Sequence, residues 1–194
     1  MSDRILAADE PAVAAMTALL RGRRTINLFE PDFVDPSVLL DAIEAARWAP
    51  NHRMTEPWRF YVLGPRATAA AIECWSGFES ETKGERAGQA RLARLSAVPG
   101  HFVVTTRRDE DPVIDRENYA ASCCAVQNLM LYLWQRGIGV KWTTGQITRE
   151  QRLYDTLGID AELELIVGYF WYGIPKIVPE QKRKPVDEIA TALD

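Results

Sequence analysis

The stretch from Val113 to Arg136 contains neither glycine nor proline, and it is apolar on most faces through Tyr119, Cys123, Val126, Leu129, Leu133 and Trp134. That is the pattern of a helix buried on several sides, so the fold has to supply neighbours for it. Gly137 ends this central helix. The elements around it follow from spacing and turn signals. Val13, Met16, Leu19 and Leu20 recur at helical spacing over Pro11 to Arg21. Asp35 and Pro36 open a second helix that runs to about Trp48 and is stopped by Pro50. Trp58 to Leu63, His101 to Thr106, Gly139 to Thr143 and Leu163 to Tyr172 read as strands of a buried sheet. Thr148 with Gln151 has the form of a capping box for a helix to Leu157. These elements do not alternate as clean βαβ units, which predicts an α+β fold, helices flanking a mixed or antiparallel sheet, in one domain over 1–194. The charged, weakly apolar segment 67–98 reads as a mobile helical excursion, a candidate lid.

Composition narrows the class. With 194 residues, 47% of them hydrophobic, the chain can bury a core without disulfides. Cys74, Cys123 and Cys124 are an odd number, and neighbours such as Cys123 and Cys124 rarely bridge each other. A reducing, cytoplasmic setting is expected. The first ten residues include Asp3, Asp9 and Glu10, unlike a secretory signal. Tyr119 to Trp134 is too short and too polar at Gln127 and Asn128 for a membrane span. A net charge of -4 gives no global attraction to nucleic acid.

The sequence lacks a glycine-rich dinucleotide fingerprint, a phosphate loop, a His-Glu-x-x-His pair and a Gly-x-Ser-x-Gly elbow, and its two histidines exclude a histidine-rich metal site. Three weaker features stand out. Arg23-Arg24-Thr25 follows directly on a helix, where guanidinium groups suit phosphate oxygens bidentately. Trp48 to Trp58 is a polar loop whose path Pro50 and Pro57 fix. Trp142-Thr143-Thr144-Gly145 brings hydroxyls, backbone and an indole to the end of a strand.

In this order and spacing, over nearly the whole chain, these features resemble the nitroreductase family, closest to its compact bacterial subgroup. The carriers are Arg23-Arg24-Thr25 with Asn27 and Phe29, Ala49-Pro50-Asn51 closing on Glu56-Pro57-Trp58, Gln127-Asn128-Leu129 before Gly137-Ile138-Gly139, Trp142 to Gly145, Val167-Gly168-Tyr169 through Pro175, and Arg183-Lys184-Pro185. The loop departs from the family's usual Ser-x-x-Asn-x-Gln and reads Asn51-His52-Arg53-Met54-Thr55-Glu56. The resemblance implies a flavoprotein oxidoreductase that binds FMN, draws electrons from NADPH or NADH and reduces nitroaromatics, quinones or related acceptors by ping-pong transfer. It implies a homodimer with a flavin at each end of the interface. Arg23, Arg24, Thr25 and Arg183 would hold the phosphate and ribityl chain, and Asn51 and His52 would reach across from the partner near Trp48. Trp142, Thr143 and Thr144 would cover the ring. No protein acid or base is assigned. The same residues also admit a flavin binder with little turnover, or a non-catalytic phosphate or nucleic-acid binder.

Overall fold

The computed structural model describes residues 9–193; the reading of the N-terminus that used Asp3 lies outside them. The elements in order are α1 (Glu10–Gly22), α2 (Ser37–Ala46), β1 (Trp58–Val62), α3 (Pro65–Lys83), α4 (Glu85–Ser96), β2 (Gly100–Arg107), α5 (Pro112–Gln135), β3 (Gly139–Thr143), α6 (Gln151–Leu157) and β4 (Glu164–Gly173). All neighbouring strands pair antiparallel in the order β1-β2-β4-β3. The central strands β2 and β4 are buried on both faces, which matches the expected α+β class.

α5 forms where the uninterrupted apolar stretch predicts it. Asp111 caps its start by accepting the Val113 N–H at 2.8 Å. At its end Gly137 takes φ 75°, while Gly137 and Ile138 donate to the Trp134 and Leu133 carbonyls, a left-handed stop that favours glycine. Only one side of the helix is buried, through Asn118, Ala121, Ser122, Ala125, Val126, Leu129, Met130 and Leu133. Tyr119 is exposed and Cys123 and Trp134 are half-buried, so burial on several sides is not met within one chain. The reason is the layer: α5 lies on the sheet face formed by Phe102, Val104, Val167, Phe170 and Tyr172, with α2 beside it and α1 touching it, and among the described residues no element covers the rest of its outer flank.

The opposite sheet face carries Val103, Ile166, Tyr169 and Trp171 and is closed by Ile72, Trp75 and Phe78 of α3, Leu95 at the end of α4 and Leu153 of α6. Segment 67–98 is helical as expected, but α3 is core and not an excursion. Its charges had masked this. Glu79 is buried and pairs with Arg91 at 2.7 Å and Lys83 at 3.4 Å; burial pushes its carboxyl up, and the two cations bring it net below the usual range. The capping box at α6 also fails to form, because Thr148 sits in a 3-10 turn over Gln146–Arg149 and donates its hydroxyl to the Gly145 carbonyl at 2.8 Å.

Candidate active site

After α1 the chain turns and runs beside β3. Thr25 bridges Val140, the Ile26 N–H donates to the Val140 carbonyl at 3.2 Å, and the Ile26 side chain is fully buried. This seats Arg23 and Arg24 at one end of the sheet edge. There they line a cavity of about 560 Å³ with Leu20, Arg21, Gln127, Gln181 and Arg183. Arg24 is tied down, its Nε donating to the Pro179 carbonyl at 3.1 Å and a terminal nitrogen to the Arg21 carbonyl at 2.5 Å. Arg23 is half-buried, and burial, then the like charges of Arg183 and Arg24, lower its proton affinity. Among the described residues no carboxylate pairs with any of the three. Guanidinium groups that converge on a cavity without a carboxylate partner have the donor chemistry an anion needs. Thr25, next in the chain, is exposed.

The polar loop lies elsewhere on the same subunit. Trp48 is 76% exposed and donates weakly to Glu44 at 3.4 Å. Asn51 spends its side chain locally, accepting the Glu56 N–H at 3.0 Å and donating to the Ala49 carbonyl. His52 is exposed at the lip of a cavity of about 410 Å³ formed with Glu117, Ala120, Ala121 and Cys124 of α5. Cys124 and Gln127 are one helical turn apart, so this cavity and the arginine cavity open onto neighbouring turns of the uncovered flank of α5.

The end of β3 turns inward. Trp142 stacks on Phe170 at 5.5 Å and donates to the Val167 carbonyl at 3.0 Å. Gly168 leaves the space it occupies, since a Cβ there would collide with the indole. The Thr143 hydroxyl donates to the Tyr169 carbonyl at 2.7 Å, which leaves Thr144 exposed at the turn.

A second cationic group went unread in the sequence. Lys141 Nζ and Arg94 both donate to Asn27 Oδ1, at 2.7 and 3.3 Å, and both lie over the Trp171 ring, at 4.6 and 5.1 Å. Trp171 Nε1 is buried without an acceptor. Burial, then Arg94 and Arg91, lower the Lys141 amine to about 8. Lys141 bears no mark in the sequence beyond its place in a strand, and Arg94 lies far away in α4; only the folded sheet edge joins them. Arg23 and Asn27 stand four residues apart on that edge, roughly 13 Å of extended chain.

An antiparallel α+β sandwich with an uncompensated cationic edge defines the class, and comparison with known proteins places the chain within it. Residues 20–174 match the sequence profile described as Nitroreductase family. The chain is 33% identical over 180 residues to the protein named "Putative NAD(P)H nitroreductase YfhC" of Bacillus subtilis (strain 168), covering 90% of this chain and 92% of that one. Its fold superposes on the nitroreductase-like family protein from Bacillus cereus with a TM-score of 0.82 at 25% identity, over 98% of this chain and 99% of that one. It also superposes on the FMN-dependent nitroreductase NfnB from Mycobacterium smegmatis, solved in complex with NADPH, with a TM-score of 0.78 at 15% identity, over 94% and 100%. The chain belongs to the nitroreductase family.

Proposed function

We propose that this protein is an FMN-dependent oxidoreductase that uses NADPH or NADH to reduce nitroaromatic, quinone or related acceptors. The observation that carries the reading is the convergence of Arg23, Arg24 and Arg183 without a carboxylate partner, a donor set suited to a phosphate monoester. FMN supplies the redox chemistry when bound, accepting a hydride from the nicotinamide and yielding two electrons to the acceptor. The residues then have separate tasks. Arg23 and Arg183 neutralise the phosphate, while Arg24 holds the C-terminal segment in place through Pro179. Thr25 adds a hydroxyl. At the other end of the edge, Lys141 and Arg94 would supply the positive charge that favours the anionic reduced ring. Trp142, Thr143 and Thr144 would form the wall of the turn that holds the ring.

The working unit is proposed to be a homodimer in the cytoplasm. α1 buries no residue of its own and exposes Val13, Met16 and Leu20 at helical spacing, and the outer flank of α5 is uncovered. A second copy covering these surfaces would bring its own Asn51, His52 and Trp48 toward the first copy's edge, which their place beside α5 supports. The lid role proposed for 67–98 would fall to α4, since Arg91 and Arg94 stand at the Lys141 group while α3 is held in the core.

The test is the visible absorbance spectrum of the purified protein before and after anaerobic NADPH, then NADH. Flavin bands that bleach are the expected result. Bands that persist would leave only a flavin binder, and no bands after adding FMN would overturn the reading.

A further inference from the structure

The loop after α2 has a costly backbone. Arg53, Met54 and Glu56 take φ of 55°, 52° and 41°, the left-handed region that side chains other than glycine disfavour. Such residues persist only where their surroundings hold them. Inside the loop, the Thr55 N–H donates to the His52 carbonyl at 3.3 Å across Arg53 and Met54, and Asn51 Oδ1 accepts the Glu56 N–H at 3.0 Å. The Pro57 carbonyl accepts the Arg107 N–H at 2.8 Å where the loop joins β1. From outside, the Thr55 hydroxyl donates to Asn118 Oδ1 at 3.0 Å, and Asn118 Nδ2 donates to the Arg107 carbonyl at 3.3 Å.

Asn118 is 1% exposed on a helix face otherwise built of Ala121, Ser122, Ala125, Val126 and Leu129. Packing alone would favour an apolar residue there. Instead one buried amide has both ends committed, joining loop, α5 and the end of β2 in a single link. We propose that Asn118 is a positioning residue that pins the strained 51–56 loop and so presents Asn51 and His52 to the cofactor, an inference that rests on the cofactor reading above. Asn118 acts through Thr55 and touches no ligand itself. The loop is thereby poised between the pinned conformation and relaxed ones that the backbone of Arg53, Met54 and Glu56 favours locally.

The test is amide hydrogen exchange of residues 51–57 in the purified protein, together with the FMN dissociation constant. Asn118→Ala should speed exchange in the loop about tenfold with β4 unchanged, and weaken FMN about tenfold, the cost of one hydrogen-bonded link. Arg53→Gly with Met54→Gly in that background relieves the strain at two of the three left-handed positions, so both values should return part of the way toward wild type; a residue important only for core packing would not be rescued by glycines at loop positions outside that core. Thr55→Val should reproduce the effect from the loop side if Asn118→Ala does not fold, and Thr55→Ser should retain protection. Unchanged loop exchange in Asn118→Ala and in Thr55→Val, or an increase that the glycine pair does not reverse, would overturn the proposal. A wild-type protein that never binds FMN would overturn the cofactor reading instead, while the exchange data would still decide whether Asn118 pins the loop.

Discussion

At the scale of single residues, the candidate site is marked by cations without a carboxylate partner among the described residues. Arg23 is half-buried at the arginine cavity and pressed by the like charges of Arg183 and Arg24. Removing it as Arg23→Ala should cost on the order of 2 kcal/mol of FMN affinity, measurable by fluorescence titration; full retention of FMN through gel filtration would refute the assignment. Lys141 acts differently, because burial and the two nearby arginines bring its amine to about 8. Its charge is present below that pH and lost above it. Lys141→Met should therefore lower the reduction potential of bound FMN by about 30 mV at neutral pH, the two-electron equivalent of one modest charge interaction. The gap between variant and wild type should close as pH rises through the titration of Lys141. Dye equilibration across that range would check both the size and the sign. A constant gap at all pH values would argue for a steric origin.

Among elements, α5 shows how much a helix owes to its layer. Its buried face holds Ser122, whose hydroxyl is buried without a partner, next to Asn118, whose amide is fully used. Two polar residues one turn apart thus have opposite expectations. Ser122→Ala deletes an unpaired buried hydroxyl and should be neutral or stabilising by up to about 1 kcal/mol in urea unfolding, since no bond is lost and a desolvation cost is relieved. A clear loss of stability would mean that the hydroxyl has a partner. The same element shows what patterning can and cannot say. Freedom from glycine and proline, with Asp111 and Gly137 at the ends, sets a long helix by local chemistry alone. How many of its sides are buried depends on which layers reach it, and residues such as Tyr119 look identical in sequence whether a sheet or solvent lies opposite.

For the molecule as a whole, the sheet is the wall between two cores, and His101 joins them to the helical layers. Its ring is 2% exposed, with Nε2 bonded to the Leu95 carbonyl at 3.2 Å and Nδ1 facing the Tyr169 hydroxyl at 3.1 Å. One ring proton satisfies both contacts when Nε2 carries it and Nδ1 accepts. Burial, against weaker support from the Leu95 and Val98 carbonyls, lowers this histidine to about 4. The unfolded chain takes up the proton near pH 6.5 and the folded one resists until about 4. Stability is therefore full above pH 6.5 and falls as pH drops toward 4, by about 3 kcal/mol in total from this one group. Urea midpoints compared between pH 7 and pH 4.5 should show that decline, and His101→Gln should flatten it. An equally steep decline in the variant would assign acid sensitivity to other groups.

The sequence by itself determined the elements and the family. Local capping, turn residues and apolar spacing place four strands and the long helix with little shift at their ends, and the ordered motifs from Arg23 to Arg183 carry the resemblance that the comparisons bear out. Tertiary structure decided what those residues face. Segment 67–98 reads as an excursion because its charges outweigh its apolar residues, whereas Glu79 is buried, paired with Lys83 one turn on in α3 and with Arg91 once α4 packs against it. Arg23 and Arg183 were named from separate motifs, but only folding brings them into one cavity with Gln127 and Gln181. Lys141, Arg94 and Asn118 carry no motif at all. Their roles come from neighbours distant in the chain, and hydrogen bonds and charge interactions act through space, so one-dimensional spacing holds no record of them.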